Sequence, residues 1–248
     1  MTPPLFFSMS KQGKSPRASS PPAVSPNPNR SGAGGQAQAS HGNFSPALSP
    51  LQISTSTAWL ASNSPAVPDV CFVTGGTGFV GQRLVEMLVE RGAKKVISFD
   101  IVPPPKEAWT HPNVQWVVGD ITKAEQVQEA MKGAQCVWHN AAAVGPFHPR
   151  ELYFKVNYEG TLNVINACKA NGVRKCVMSS SPSTRFDGSD VDGLTEDQMP
   201  SLPQSSYLQT YAETKAMGEI AMREACCDDF MTVAVAPHQV YVLPWFPH

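Results

Sequence analysis

Tyr211 and Lys215 stand four residues apart in Tyr211-Ala-Glu-Thr-Lys215, within a stretch of helical pattern. That spacing puts a phenol and an ammonium on one helix face. A nearby positive charge favours phenolate and is expected to lower the tyrosine pKa toward neutrality. Such a phenol can move the proton of a secondary alcohol as hydride leaves the carbon. Alone, the pair is more often a solvated helix face, so its context matters. Ser179-Ser180-Ser181 closes a β-rich run. A hydroxyl at the C-terminal end of a parallel strand can hydrogen-bond a substrate oxygen and stabilise charge developing on it. A plain Ser-rich strand-to-loop transition has the same look.

A third group of residues binds rather than reacts. Thr74-Gly75-Gly76-Thr77-Gly78-Phe79-Val80-Gly81 follows the apolar run Val70 to Val73 and opens into an amphipathic stretch, Arg83 to Arg91. Strand, glycine turn and helix N-terminus together make a seat for a pyrophosphate. Both Gly75-x-x-Gly78-x-x-Gly81 and Gly76-x-Gly78-x-x-Gly81 can be read, and either alone would be weak. Val96-Ile-Ser-Phe-Asp100 strengthens them, because it ends in an acid roughly 20 residues beyond the glycines, where ribose hydroxyls are accepted. Asp100 is followed by Ile101 and Val102 with no arginine, so a 2′-phosphate would be repelled and NAD is expected over NADP. Gly119-Asp120 is placed to reach an adenine, or is an ordinary turn. Asn140-Ala141-Ala142-Ala143 offers small residues where backbone meets cofactor, or a close-packed turn. Asn157 is a mediocre helix former inside a helical stretch, and either bridges elements near the site or is solvated.

These residues need a frame to hold them. Strand candidates run over Val70–Thr74, Lys95–Asp100, Val114–Val118, Cys136–Asn140, Lys175–Ser179 and Met231–Ala236, with helical stretches near 80–91, 123–132, 151–171 and 207–226. Alternation of this kind implies βαβ units, and the expected fold is α/β: a Rossmann-type doubly wound parallel sheet. Residues 67–248 form the expected nucleotide-binding domain. Residues 1–66 are rich in Ser, Pro, Gly and Ala, with Lys11, Lys14, Arg17 and Arg30 as their only charges. Such a segment cannot bury enough apolar surface to offset its ordering entropy, so disorder is expected. Its Ser-rich, acid-free composition also fits a targeting segment, although the Arg-rich amphipathic helix of one is absent.

The 248 residues are 42% hydrophobic and 16% charged with a formal net charge of -1, which gives no electrostatic case for nucleic acid or an anionic membrane surface. No apolar run approaches the roughly 20 residues of a transmembrane helix. Six cysteines form no CxxC pair, and four lie in or beside apolar runs as small hydrophobes, which suits a reducing compartment. The six histidines have no metal-ligand spacing, so no metal is expected.

In their order along the chain, the glycine loop, Asp100, Gly119-Asp120, Val156-Asn157-Tyr158-Glu-Gly160-Thr161, Ser179–Ser181 and Tyr211-x-x-x-Lys215 resemble the extended short-chain dehydrogenase/reductases. Phe154-Lys-Val-Asn-Tyr-Glu-Gly-Thr-Leu-Asn-Val-Ile, Gly193-Leu-Thr-Glu-Asp and Tyr211-Ala-Glu-Thr-Lys-Ala resemble the 3β-hydroxysteroid dehydrogenase branch in particular. The likeness covers about residues 69–241. It implies Tyr211 as acid/base, Lys215 as the residue that holds the cofactor ribose and tunes the phenol, and Ser181 as donor to the substrate oxygen, with Ser180 in that role if the register is off by one. It implies NAD contacts at Gly75, Gly78, Phe79, Val80, Gly81, Asp100, Asp120, Ala141 and Lys215. The implied reaction is NAD-dependent oxidation of a sterol or steroid 3β-hydroxyl, extending to a 4α-carboxysterol whose β-keto acid product loses carbon dioxide without a metal. Dihydroflavonol-type reduction and nucleotide-sugar epimerisation share the same three residues, and a non-catalytic dinucleotide-binding fragment is the alternative outside enzymology. The expected partner is a small alcohol or ketone, and a homodimer is left open. The setting is cytoplasmic or peripheral at the endoplasmic reticulum, with organellar targeting open. Ala236-Pro-His-Gln-Val-Tyr241 resembles the family's sixth strand, but Val242–His248 departs from the pattern that follows. A chain cut short, its C-terminal substrate region missing, is the expectation.

Overall fold

Runs such as Val70-Cys-Phe-Val-Thr74 and Lys95-Val-Ile-Ser-Phe-Asp100 are apolar on both faces, the pattern of strands covered on two sides. The computed structural model describes residues 66–240, apart from 146, 190 and 239. The segment expected to be disordered, Ala66 excepted, and the divergent stretch 242–248 lie outside the described residues. Six strands, β1 (Val70–Thr74), β2 (Lys95–Asp100), β3 (Val114–Val118), β4 (Cys136–His139), β5 (Lys175–Ser179) and β6 (Met231–Val235), pair in parallel in the order β3-β2-β1-β4-β5-β6. That is the doubly wound order of dinucleotide-binding folds, with its switch point between β1 and β4.

The helices are α1 (Phe79–Glu90), α2 (Ala124–Ala130), α3 (Arg150–Tyr153), α4 (Gly160–Ala170) and α5 (Thr210–Glu224). The period of two along β1 divides the core. Cys71 and Val73 face α1 with Val85, Leu88 and Val96. Phe72 faces the other way, with Phe99, Val127, Met131, Val164, Met178 and Met222 from α2, α4, α5 and the sheet. Burying a side chain of this size stabilises the fold by about 1.5–3 kcal/mol relative to leaving it exposed. On the α1 side, Trp138, Val177 and Val233 lie side by side across β4, β5 and β6. Coverage fades along that row, and Met231, Val233 and Val235 are 51–54% exposed.

Three expected boundaries shift. β4 ends at His139 rather than Asn140, because the Asn140 and Ala141 N–H groups turn onto the Thr74 side chain. β6 ends at Val235 rather than Ala236. The helix expected over 151–171 is not one α-helix: a π-helical turn, Phe154–Glu159, separates α3 from α4. A π turn carries one residue more than an α turn and is found disproportionately at functional sites. No helix of the described residues is long and apolar enough to cross a membrane.

Candidate active site

The C-terminal ends of the strands open into a cleft of about 660 Å³. The glycine turn forms one wall. Gly75 has φ of +68°, a left-handed conformation that disfavours any Cβ, and a Cβ there would lie 2.8 Å from the Ala141 nitrogen. Gly81 sits behind the turn and outside the cleft lining, where a Cβ would meet the Gly75 carbonyl oxygen at 2.0 Å. Gly78 caps α1 and faces the cleft, and a Cβ there would meet only the Gly75 carbonyl oxygen, at an ordinary contact of 3.4 Å. A helix N-terminus with open space before it is a cradle for a phosphate. Phe79 and Val80, both exposed, line the same wall.

Asp100, at the end of β2, accepts the Thr77 N–H at Oδ2 (3.1 Å) and braces the glycine turn while lining the cleft. Asp120 also lines it and uses Oδ1 to accept the Thr122 N–H (2.8 Å). Ala141 completes that floor. A dinucleotide therefore fits the residues present: a glycine-lined cradle at a helix start, and an acid at the end of β2 for ribose hydroxyls.

Tyr211, Lys215, Ser180 and Ser181 line the opposite wall, so one cleft holds the residues singled out for chemistry and those singled out for binding, with Gly81 behind them. Their bonding corrects one expectation. Burial pushes the Tyr211 phenol above its ordinary pKa; Ser181 pulls it down, and Tyr153, packed edge-on at 6.3 Å, pushes it up further. Burial thus outweighs the lowering expected of the lysine, whose Nζ donates to the Ser179 carbonyl oxygen (2.6 Å). Burial in turn lowers Lys215 to about 8, with Glu219 acting in the opposite direction. The two serines are also distinguished. Ser180 Oγ donates to Glu219 Oε2 (2.5 Å), whereas Ser181 lines the cleft with its Oγ paired to Ser183, at its hydroxyl (2.8 Å) and backbone N–H.

Several residues of the site escaped sequence reasoning. Glu219 is buried, chelated by both guanidinium NH groups of Arg185, and lies eight residues after Tyr211 on the same face of α5. Desolvation alone would raise its pKa; Arg185 and Ser180 outweigh that and hold it below the ordinary carboxylate range. Its spacing was the available signal. Asn157, left open as bridge or solvated residue, is 1% exposed and bridges. Its amide accepts the Ala143 N–H (2.8 Å) and donates to the Ala143 carbonyl (3.1 Å) and to Thr214 Oγ1 (3.2 Å). His139 and Thr74, bonded to each other beneath the turn, left no signal in the sequence beyond their place at strand ends.

A six-stranded parallel sheet in this order, with a glycine turn after its first strand and a Tyr-x-x-x-Lys helix against its fifth, defines an extended short-chain dehydrogenase/reductase. The 3-beta hydroxysteroid dehydrogenase/isomerase family matches residues 72–242, and the chain belongs to that family. It is 37% identical over 173 residues to the human protein "Sterol-4-alpha-carboxylate 3-dehydrogenase, decarboxylating", covering 69% of this chain and 44% of that one. The Bos taurus protein of the same name is 39% identical over 175 residues, with 69% and 46% covered. The match thus spans less than half the length of either relative. Among solved structures, MoeE5 in complex with UDP-glucuronic acid and NAD is similar at a TM-score of 0.54 and 27% identity, over 66% of this chain and 52% of that one.

Proposed function

We propose that this chain binds NAD and oxidises the 3β-hydroxyl of a sterol or steroid, with a 4α-carboxysterol as the favoured substrate. The observation that carries this reading is the meeting of Tyr211, Lys215 and Ser181 with Gly75, Gly78 and Asp100 in one cleft. Gly75, Gly78, Phe79, Val80, Asp100, Asp120 and Ala141 would hold the dinucleotide, with Gly81 keeping the turn closed behind them and Lys215 on the nicotinamide ribose. NAD, when bound, supplies the hydride acceptor. Ser181 donates to the substrate oxygen, since Ser180 is committed to Glu219. Tyr211 takes the hydroxyl proton, and general-base transfer of this kind contributes about 10²–10⁴-fold. Lys215, one turn further along the face, is the chain's own cation for stabilising phenolate. With a 4α-carboxylate on the substrate, the 3-ketone product is a β-keto acid, which loses carbon dioxide as the electron pair of the breaking C–C bond moves into the ketone. Beyond the glycine wall the lining is mostly apolar, with Ala142, Ala143, Val144, Leu152 and Val156, and this supports a sterol over a sugar.

Similarity to an enzyme solved with UDP-glucuronic acid supports a second reading, nucleotide-sugar chemistry through the same three residues. Both readings meet one experiment on the full chain. NAD is titrated by calorimetry into wild type and Asp100→Ala, and turnover of 3β-hydroxysterols and nucleotide sugars is followed in wild type and Tyr211→Phe. The expected outcome is NAD binding weakened by Asp100→Ala, with sterol turnover falling about 10²–10⁴-fold in Tyr211→Phe at unchanged NAD affinity. Equal turnover with and without the phenol would sink the enzyme reading.

A further inference from the structure

The hydrogen bonds around His139 admit one arrangement of protons. Thr161 gives its only hydroxyl proton to the Asn157 carbonyl (2.7 Å), so toward His139 Nε2 (3.0 Å) it can only accept, and Nε2 carries the hydrogen. A neutral imidazole protonated there is an acceptor at Nδ1. Thr74 Oγ1, 2.8 Å away, therefore donates to Nδ1, and its lone pairs receive the N–H groups of Asn140 and Ala141, both at 3.1 Å. From Asn157 the network continues through its amide to Ala143 and to Thr214 Oγ1, whose own proton goes to the carbonyls of Thr210 (2.9 Å) and Tyr211 (3.1 Å). Thr74, His139, Asn157, Thr161 and Thr214 are all buried, none more than 2% exposed.

We propose that His139 is a positioning residue, locked as the neutral Nε2–H tautomer, through which one buried network holds the Asn140–Ala143 turn in register with the helical turn that carries Tyr211. The opposite tautomer would leave Nε2 and Thr161 facing each other with no proton between them. An imidazolium would crowd Thr74 with protons and add a second buried positive charge close to Lys215, the charged group that faces it. Burial first, and Lys215 second, hold the imidazole down to about 3, in keeping with this arrangement. The glycine wall and the tyrosine wall of the cleft are thereby tied together from beneath, whatever alcohol the cleft takes.

Two measurements on the full-length chain test the proposal without relying on turnover. In protein labelled with ¹⁵N-histidine, the His139 ring signals (identified by their loss in His139→Gln) are expected to show a protonated Nε2 and a bare Nδ1, unchanged between about pH 8 and pH 5. A protonated Nδ1, or titration near the ordinary histidine value, would overturn the assignment. In His139→Leu, the amides of Asn140, Ala141 and Ala143 are expected to exchange about tenfold faster while those of Ile97 and Phe99 in β2 keep their protection. His139→Asn, whose Oδ1 falls where Nδ1 lies and can accept from Thr74, is expected to restore Asn140 and Ala141. Uniform acceleration that includes β2, or no local change at all, would overturn the positioning role.

Discussion

Glu219 does its work on a serine it frees and a lysine it never bonds. By taking the Ser180 hydroxyl and the Arg185 guanidinium, it pins the segment Ser180–Arg185 and leaves Ser181 as the serine open to the cleft. A buried pair broken on one side costs about 3–5 kcal/mol, whereas replacing both partners with apolar residues is often close to neutral. Glu219→Gln is therefore expected to lower stability by that amount in urea unfolding. Arg185→Met/Glu219→Met is expected to recover most of it, while turnover stays below wild type because Ser181 has lost its anchored loop. His139 gives a pH dependence at the same scale. Its folded pKa is depressed from 6.5 to about 3, so the unfolded chain takes up a proton in that window while the folded chain does not. The stability it contributes is complete above 6.5 and is lost as pH falls toward 3, by about 1.4 kcal/mol per pH unit at most. Urea midpoints at pH 7 and pH 5 are expected to fall more steeply for wild type than for His139→Leu.

At the scale of elements, the glycine turn separates folding from binding. Gly81→Ala would put a methyl group 2.0 Å from the Gly75 carbonyl oxygen, against backbone that cannot yield. It is expected to destabilise the fold by about 1–3 kcal/mol, the usual range for overpacking, and to weaken NAD binding as well. Gly78→Ala has its nearest contact at 3.4 Å and fills the cradle instead, so unfolding is expected to change little while calorimetry shows weaker NAD binding. The turn and all six strands were legible from the residues, because glycine spacing and β-rich runs report local geometry directly. The π turn was not. One extra residue at Phe154–Glu159 leaves the apolar pattern of the 151–171 stretch unbroken, and only the poor helix propensity of Asn157 hinted at it. Tyr211, Lys215 and Ser181 could be read as a set, but the direction in which the phenol's pKa moves could not. It rises through burial first, with Ser181 and Tyr153 acting behind it, and these are tertiary facts.

At the scale of the whole described domain, the unequal cover of the sheet matters most. Among the described residues β6 is an edge strand, and Met231, Val233 and Val235 stand half exposed on the α1 side. Exposed apolar edges favour pairing between chains. Val233→Lys is expected to reduce self-association in light scattering at high concentration, without lowering the thermal midpoint. A charged residue or a proline on the edge would have signalled protection in the sequence, and neither is present in Met231-Thr-Val-Ala-Val235.

The strand order also sets a timetable. β1 is made first and finishes in the middle of the sheet, and β2 and β3 join it from the residues that directly follow. Its other flank waits until the ribosome has added His139, 65 residues after Thr74. During that interval the nascent chain holds the residues of β1, β2 and β3 but not those of β4, and Thr74 has not yet met its imidazole. Synthesis of each copy therefore passes through a stage in which the residues of the glycine turn have been made but those of the network beneath it have not, and the floor of the cleft can close only when β4 arrives.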